Sequence, residues 1–369
     1  MNVIFINRMM GVRFGGGENA DLNFAIALSK RGHNVKFITG RNKNIKSPDI
    51  GNLQKISIQH IQTPYLRKYG YMFEKSKIFK LLSPLFYELD LFIFEVKVYN
   101  YLKLNKINID VFQICGLPRL AIRIKNKLNA KVVVRWPGKP GRTKIKYLLK
   151  YDYNIANGDV YKFLENLKIQ NLKKVNIGVD QDLYSPKSIE KTTKGVSFLF
   201  LGRIVEIKNL PLLVKSFKDA LKTLPNISLT IAGGGDEKII SHIKKEIKNY
   251  YNIRYIGPVE KTDTPKLYND HDVFLITSDY DNFPNTVLEA LSSGLPVIGS
   301  DVGGISDQIQ DKINGYLFKK GDALDLKEKI VEISKNSDLR TKMSVNARKT
   351  TITNFNWNSS AIDLEKIYL

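Results

Sequence analysis

The chain is expected to fold as two Rossmann-like, doubly wound α/β domains, and three observations lead there. Short apolar runs alternate along its whole length with amphipathic stretches of helical period, the pattern that builds parallel sheets covered by helices. Glycines cluster just after several of those runs, where a strand must turn sharply into a helix. The 369 residues, 43% hydrophobic and 25% charged, are long for one domain and comfortable for two cores.

The first domain is taken as residues 1–186 together with a returning helix at 356–369. Residues 3–7 form its first strand. Gly15, Gly16 and Gly17 form the loop that follows, and Leu22, Ala25, Ile26 and Leu28 recur at helical spacing until Arg31, Gly32 and His33 end the helix. With a second strand at 35–39 this is the βαβ start of a doubly wound sheet. On the residues alone, the glycines suit a plain strand-to-helix turn as well as a substrate loop; the Glu18 behind them favours the loop. Residues 84–104 read as a helix packed on the sheet through Leu85, Leu89, Phe92, Val96 and Tyr99. Glu88, Asp90, Glu95, Lys97 and Lys103 break every long apolar run there, so no span of roughly 20 apolar residues forms. Just upstream, Arg67, Lys68, Lys75, Lys77 and Lys80 interleave with Tyr65, Tyr69, Tyr71, Phe73 and Phe79, a composition suited to gripping a lipid surface. Strands are expected at 109–115, 131–136 and 153–156.

The second domain, residues 187–355, alternates strands and helices at 197–201, 211–223, 228–232, 238–249, 254–256, 264–269, 273–276, 284–293 and 297–299. In the helix at 284–293, Pro284 suits the first helical position and Gly294 the residue just past the end. A last helix near 359–368 should pack back on the first domain.

Two motifs carry chemistry. In Asp281-Asn282-Phe283-Pro284-Asn285-Thr286-Val287-Leu288-Glu289, two carboxylates stand eight positions apart across a loop and a helix start. The amides of Asn285, Thr286 and Val287 would face a diphosphate, and Glu289, one turn after Asn285, could accept both hydroxyls of a ribose. Upstream, an apolar strand ends in Gly202-Arg203 with Lys208 five residues on; a guanidinium fork and an ammonium together neutralise a pyrophosphate leaving group. Either motif alone is weak evidence.

Together these motifs resemble those of retaining glycosyltransferases of the GT-B fold, family 4, with their Glu-x7-Glu signature and Gly-Arg-x4-Lys pair. Further matching pieces follow in order: 229–236 with Gly234, Tyr255-Ile-Gly257-Pro, Asp301-Val-Gly-Gly304 and 314–322. The first carboxylate is Asp281 where the family usually has Glu, and Asn282 stands where Gly is common. The resemblance implies two domains facing a central cleft, a nucleotide diphosphate sugar as co-substrate, no cofactor, metal independence, and retention at the anomeric carbon. It gives Arg203, Lys208 and Asp281 the catalytic roles. Gly202, Gly234, Gly257, Asn282, Phe283, Asn285, Thr286, Val287 and Glu289 fall on the donor side; Gly15, Gly16, Gly17 and Glu18 fall on the acceptor side. Relatives often carry a histidine near 110–115 and at the end of 131–136; here Arg135 and Trp136 stand instead. Arg135 and Arg142, with Lys139, Lys144 and Lys146, could hold a phosphate-rich acceptor, and a solvated basic loop is an equal reading.

Charge points to the partner. The formal net charge is +22, and residues 1–187 hold 33 basic against 13 acidic residues, which leaves 25 against 23 in 188–369. An excess confined to one half attracts a polyanion, here an anionic membrane leaflet rather than nucleic acid. The lone Cys115 and the absence of zinc-type spacing exclude a disulfide framework and a structural zinc site, and no secretory signal is visible at the N-terminus. The expectation is a cytoplasmic, peripherally bound glycosyltransferase moving a hexose-type sugar from UDP or GDP to a lipid-linked glycan of a surface polysaccharide such as lipopolysaccharide. The alternatives are a nucleotide-sugar epimerase or hydrolase of the same fold, and an inactive basic lipid-binding module.

Overall fold

A computed structural model describes residues 1–12, 15–42, 56–64, 77–105, 108–186 and 195–369, with side chains in the helix at Lys77 described from residue 84 onward. The chain divides into two units, Met1–Asn176 with Trp357–Leu369, and Ile177–Asn356. The expected boundary at 187 lies outside the described residues. So do Tyr65, Arg67, Lys68, Tyr69, Tyr71, Phe73 and Lys75, and the side chains of Lys77, Phe79 and Lys80.

The first unit runs β1 (Asn2–Asn7), α1 (Gly16–Lys30), β2 (Asn34–Arg41), β3 (Ser57–Gln62), α2 (Lys77–Asn105), β4 (Val111–Cys115), α3 (Pro118–Lys127), β5 (Lys131–Arg135), α4 (Arg142–Ile145), β6 (Tyr153–Ala156), α5 (Gly158–Asn166) and β7 (Leu172–Lys174). Its strands are all parallel, in the order β3-β2-β1-β4-β5-β6-β7. β1 and β5 are buried on both faces, as a sheet covered by helices requires.

The 29-residue helix α2 packs on this sheet with a different face from the one expected. Leu91, Phe94, Val98 and Leu102 enter the core, whereas Leu85, Leu89 and Phe92 are 64%, 45% and 50% exposed. Val96 and Tyr99 are half-buried. Apolar residues surround much of this helix, so their spacing fits more than one stripe, and contact with the sheet selects which one is buried.

The second unit runs β8 (Ser197–Leu201), α6 (Leu210–Leu221), β9 (Ser228–Ala232), α7 (Glu237–Ile247), β10 (Ile253–Gly257), α8 (Thr264–Asn269), β11 (Val273–Ile276), α9 (Asn285–Ser292), β12 (Val297–Ser300), α10 (Ile305–Gln308), β13 (Gly315–Phe318), α11 (Ala323–Lys335) and α12 (Ser337–Asn354). The parallel order is β10-β9-β8-β11-β12-β13. Strand order therefore reverses between β8 and β11, and the chains leaving those two strands diverge at their carboxyl ends. Open sheets of this type bind ligands there. Phe198, Phe200, Leu213, Phe217, Leu275 and Ile330 fill the core beneath.

The closing helix α13 (Trp357–Tyr368) belongs to the first unit. Trp357 meets Phe24 of α1 edge-on at 5.4 Å, and Glu365 accepts bonds from Arg31 at 2.7 and 2.8 Å.

Candidate active site

The candidate site of the second unit is built on the carboxyl edge of its sheet. After β8, the backbone continues parallel pairing through Gly202 N to Ala232 O at 3.1 Å and Ile204 N to Gly234 O at 2.8 Å. The two chains pass so closely that a Cβ on Gly233, at φ +130, would lie 1.9 Å from Gly202 O. No other residue fits. Gly233 N bonds Gly257 O at 2.7 Å, so Gly202, Gly234 and Gly257 come together at the ends of adjacent strands.

The loop then bends through a 3-10 turn at Glu206–Lys208 to Asn209, whose left-handed backbone (φ 48) lets its side chain cap α6 at Leu212 N. Three bonds tie this loop to the segment leaving β11. Asn209 Nδ2 reaches Asp279 at 3.1 Å, Thr277 Oγ1 reaches Lys208 O at 2.9 Å, and Asp279 N reaches Ile207 O at 2.8 Å. The result is an ion pair between Lys208 Nζ and Asp281 Oδ2 at 2.5 Å, with side chains 16% and 21% exposed. It spans the point where strand order reverses. Arg203 is exposed and makes no hydrogen bond or ion pair among the described residues.

The segment after Asp281 rests on the turn that follows β12. Gly304 N donates to Asp281 O at 3.0 Å, and Gln308 Nε2 donates to Pro284 O at 3.0 Å. Pro284, expected as the first helical residue, is instead the extended cap (ψ 124) before α9. Gly294 closes the helix at φ +78, as expected. The amides of Asn285 and Thr286 begin the helix with no carbonyl a turn behind them. Val287 N already donates to Pro284 O at 3.2 Å, and its side chain is fully buried. Phe283 is also buried, with its ring edge-on to Phe355 at 5.8 Å. Of this run, then, Asn282, Asn285 and Thr286 keep half-exposed side chains.

One turn along α9, the Glu289 carboxylate is half-buried. Tyr268 Oη donates to its Oε2 at 2.9 Å, and the Tyr184 hydroxyl, 3.0 Å from Thr264 Oγ1, also turns toward it. Burial pushes the Glu289 pKa up, against the opposing pull of the Tyr268 bond, the Lys261 charge and the Tyr184 bond. These tyrosines had no signal in the sequence: they are distant from the motif and read as ordinary apolar positions.

In the first unit, Gly15 caps α1, Gly16 and Gly17 begin it, and Glu18 Oε2 accepts from Gly15 N at 3.1 Å. Burial raises the Glu18 pKa. Arg135 does not project as a free phosphate ligand. It is 6% exposed, paired with Asp21 of α1 and bonded to Gly17 O at 2.7 Å. Burial works against its charge and Asp21 more than restores it, so its pKa is raised. Arg142 opens the four-residue α4 in the open. Among the described residues no group of three or more His, Cys, Asp and Glu side chains could hold a metal ion. His271 is bonded to Leu267 O and Thr230 in the core of the second unit.

Residues 183–350 match the family model Glycosyl transferases group 1. An uncharacterised glycosyltransferase of Methanocaldococcus jannaschii is 26% identical over 255 residues, 66% of this chain and 70% of that protein. The chain spans about half the length of several other relatives that it matches. Among solved structures, sucrose-phosphate synthase of Thermosynechococcus elongatus superposes with a TM-score of 0.79 at 17% identity, over 100% of this chain and 98% of that one. HepE of Anabaena in complex with UDP gives 0.77 at 15% identity, over 99% of both. The fold is GT-B. All the donor-side residues named from the sequence lie within or beside the group 1 match.

Proposed function

We propose that this chain is a glycosyltransferase that moves a sugar from a UDP- or GDP-linked donor to an acceptor. The observation that carries the reading is the meeting of Lys208, Asp281 and the start of α9 where strand order reverses in the second unit. The fold likeness to HepE, solved with UDP, supports a nucleotide donor. On this reading Arg203, Lys208 and the amides of Asn285 and Thr286 neutralise the departing diphosphate, with no metal ion in that role. Among the described residues Lys208 pairs with Asp281; a diphosphate competes for it, and Asp281 is then free to accept hydroxyls of the transferred sugar. Glu289 takes the ribose. Retention at the anomeric carbon, with the donor phosphate assisting deprotonation of the acceptor, completes the mechanism.

The acceptor we assign is a lipid-linked glycan at an anionic leaflet on the cytoplasmic side. Two features support that choice: the +20 excess within residues 1–187, and the Leu85, Leu89, Phe92 stripe that α2 leaves exposed. No described helix is long and apolar enough to cross a membrane, so contact would be at the surface.

A thermal-shift series tests the donor half. UDP or GDP at about a hundredfold excess over Kd should raise the melting temperature by about 5 °C or more. The shift should persist in EDTA and vanish in Glu289→Ala. If neither nucleotide moves the wild-type transition, the donor site is refuted; in a separate incubation with the nucleotide sugar, free sugar released without an acceptor would favour hydrolysis.

A further inference from the structure

We propose that Tyr268 and Tyr184 are positioning residues for ribose recognition, holding the Glu289 carboxylate so that its remaining lone pairs face the 2′ and 3′ hydroxyls of a ribonucleotide donor. The proposal rests on the donor reading above and adds to it two residues outside the group's linear motif.

Both phenols are buried, Tyr268 at 0% and Tyr184 at 3% exposure. A buried tyrosine hydroxyl needs a partner, and these two stand on the same side of Glu289. Tyr268 Oη donates to Glu289 Oε2 at 2.9 Å and lies 3.3 Å from Thr286 O in the first turn of α9. Tyr184 Oη lies 3.0 Å from Thr264 Oγ1 and turns toward the same carboxylate. The rings fix one another edge-on at 5.8 Å, and Tyr268 lies 5.7 Å from Phe274 of β11. Neither hydroxyl can swing away without leaving the core.

An ionised carboxylate offers about four lone-pair sites. Tyr268 occupies one and Tyr184 stands beside a second, which leaves capacity matching a vicinal diol. Because every partner of the carboxylate must donate, the site rewards hydroxyls and gives a 2′-deoxy sugar, which keeps only its 3′ hydroxyl, one bond fewer. The tyrosines also keep the group charged. Burial raises the pKa of Glu289, and the opposing influences are the Tyr268 bond, Lys261 from the turn before α8, and the Tyr184 bond. Removing a phenol should therefore move the protonation of Glu289 to higher pH.

The test measures binding of UDP and GDP, each against its 2′-deoxy form, to wild type, Tyr268→Phe, Tyr184→Phe and Glu289→Gln, followed by a pH profile of donor kcat/KM. Loss of one hydrogen bond to a charged group predicts about a 10-fold weaker Kd. The KM for donor should rise with kcat nearly kept, since the ribose is held equally in ground and transition states. The preference for ribose over deoxyribose should shrink, and the acid limb should shift upward in pH. Should Tyr268→Phe fail to fold, the Tyr184→Phe binding ratio decides. Unchanged Kd, ribose preference and acid limb in the phenylalanine variants, with Glu289→Gln crippled, would overturn the positioning role alone. Wild-type binding by Glu289→Gln would overturn the donor reading itself.

Discussion

Each unit sets a cation against a carboxylate near the first turn of its sheet, and the two pairs have opposite uses. In the first unit Arg135 and Asp21 are sealed, with side chains 7% and 2% exposed; the guanidinium also holds Gly17 O and so fixes the start of α1. In the second unit Lys208 and Asp281 are 16% and 21% exposed and close no helix. A buried pair has lost its hydration and cannot part cheaply, whereas a half-open pair can exchange its partner for a ligand. Burial, more than residue type, separates scaffold from site here.

Four measurements can break or sharpen that contrast. The largest effect is expected at the sealed pair. Arg135→Ala should strand Asp21 and destabilise the protein by about 3–5 kcal/mol in chemical denaturation; unchanged stability with a weaker acceptor KM would instead make Arg135 a ligand. At the open pair, Lys208→Ala should lower donor turnover by on the order of 10²–10³, with stability altered by about 1 kcal/mol or less. Equal loss of folding and turnover would erase the distinction.

A third test uses another sealed charge of the first unit, Glu95 on α2. Burial raises its pKa to about 7, against Arg119, Lys144 and the Leu120 backbone bond. The unfolded chain releases this proton near its ordinary value, while the folded chain holds it until about pH 7. Stability should then fall as pH rises between those values and level off above. Glu95→Gln should gain about 1–3 kcal/mol at pH 8 and nothing below about pH 4; a flat difference across that range removes burial as the cause. The smallest stability effect belongs to Leu89→Gln with Phe92→Gln, about 0.5 kcal/mol or less for each surface site. Yet sedimentation with anionic vesicles should drop. Retained vesicle binding would detach α2 from the proposed lipid surface.

Much of the fold was legible because strands buried on both faces must be nearly continuous apolar runs, as in Val132, Val133 and Val134 or Phe198 through Leu201. The turn after β8 was equally plain from its glycine and two cations. Less could be read where several residues competed for one face. The phase of α2 is not fixed by its sequence, because its apolar residues fit more than one stripe. Pro284 caps α9 and does not begin it, and proline's fixed φ suits either place. By sequence Arg135 belongs to a basic run with Lys139 and Arg142, while its partner Asp21 lies 114 residues away.

The amino-acid order alone determined two parallel sheets, the glycine turns at their carboxyl edge and the residues that gather in the second unit, because strand, helix and turn preferences are local and their alternation leaves few topologies. Tertiary structure decided which charges were sealed and which stayed open, which face of α2 met the sheet, and that two tyrosines close on Glu289. Those outcomes depend on burial and on partners far apart in the chain, and no local pattern encodes either.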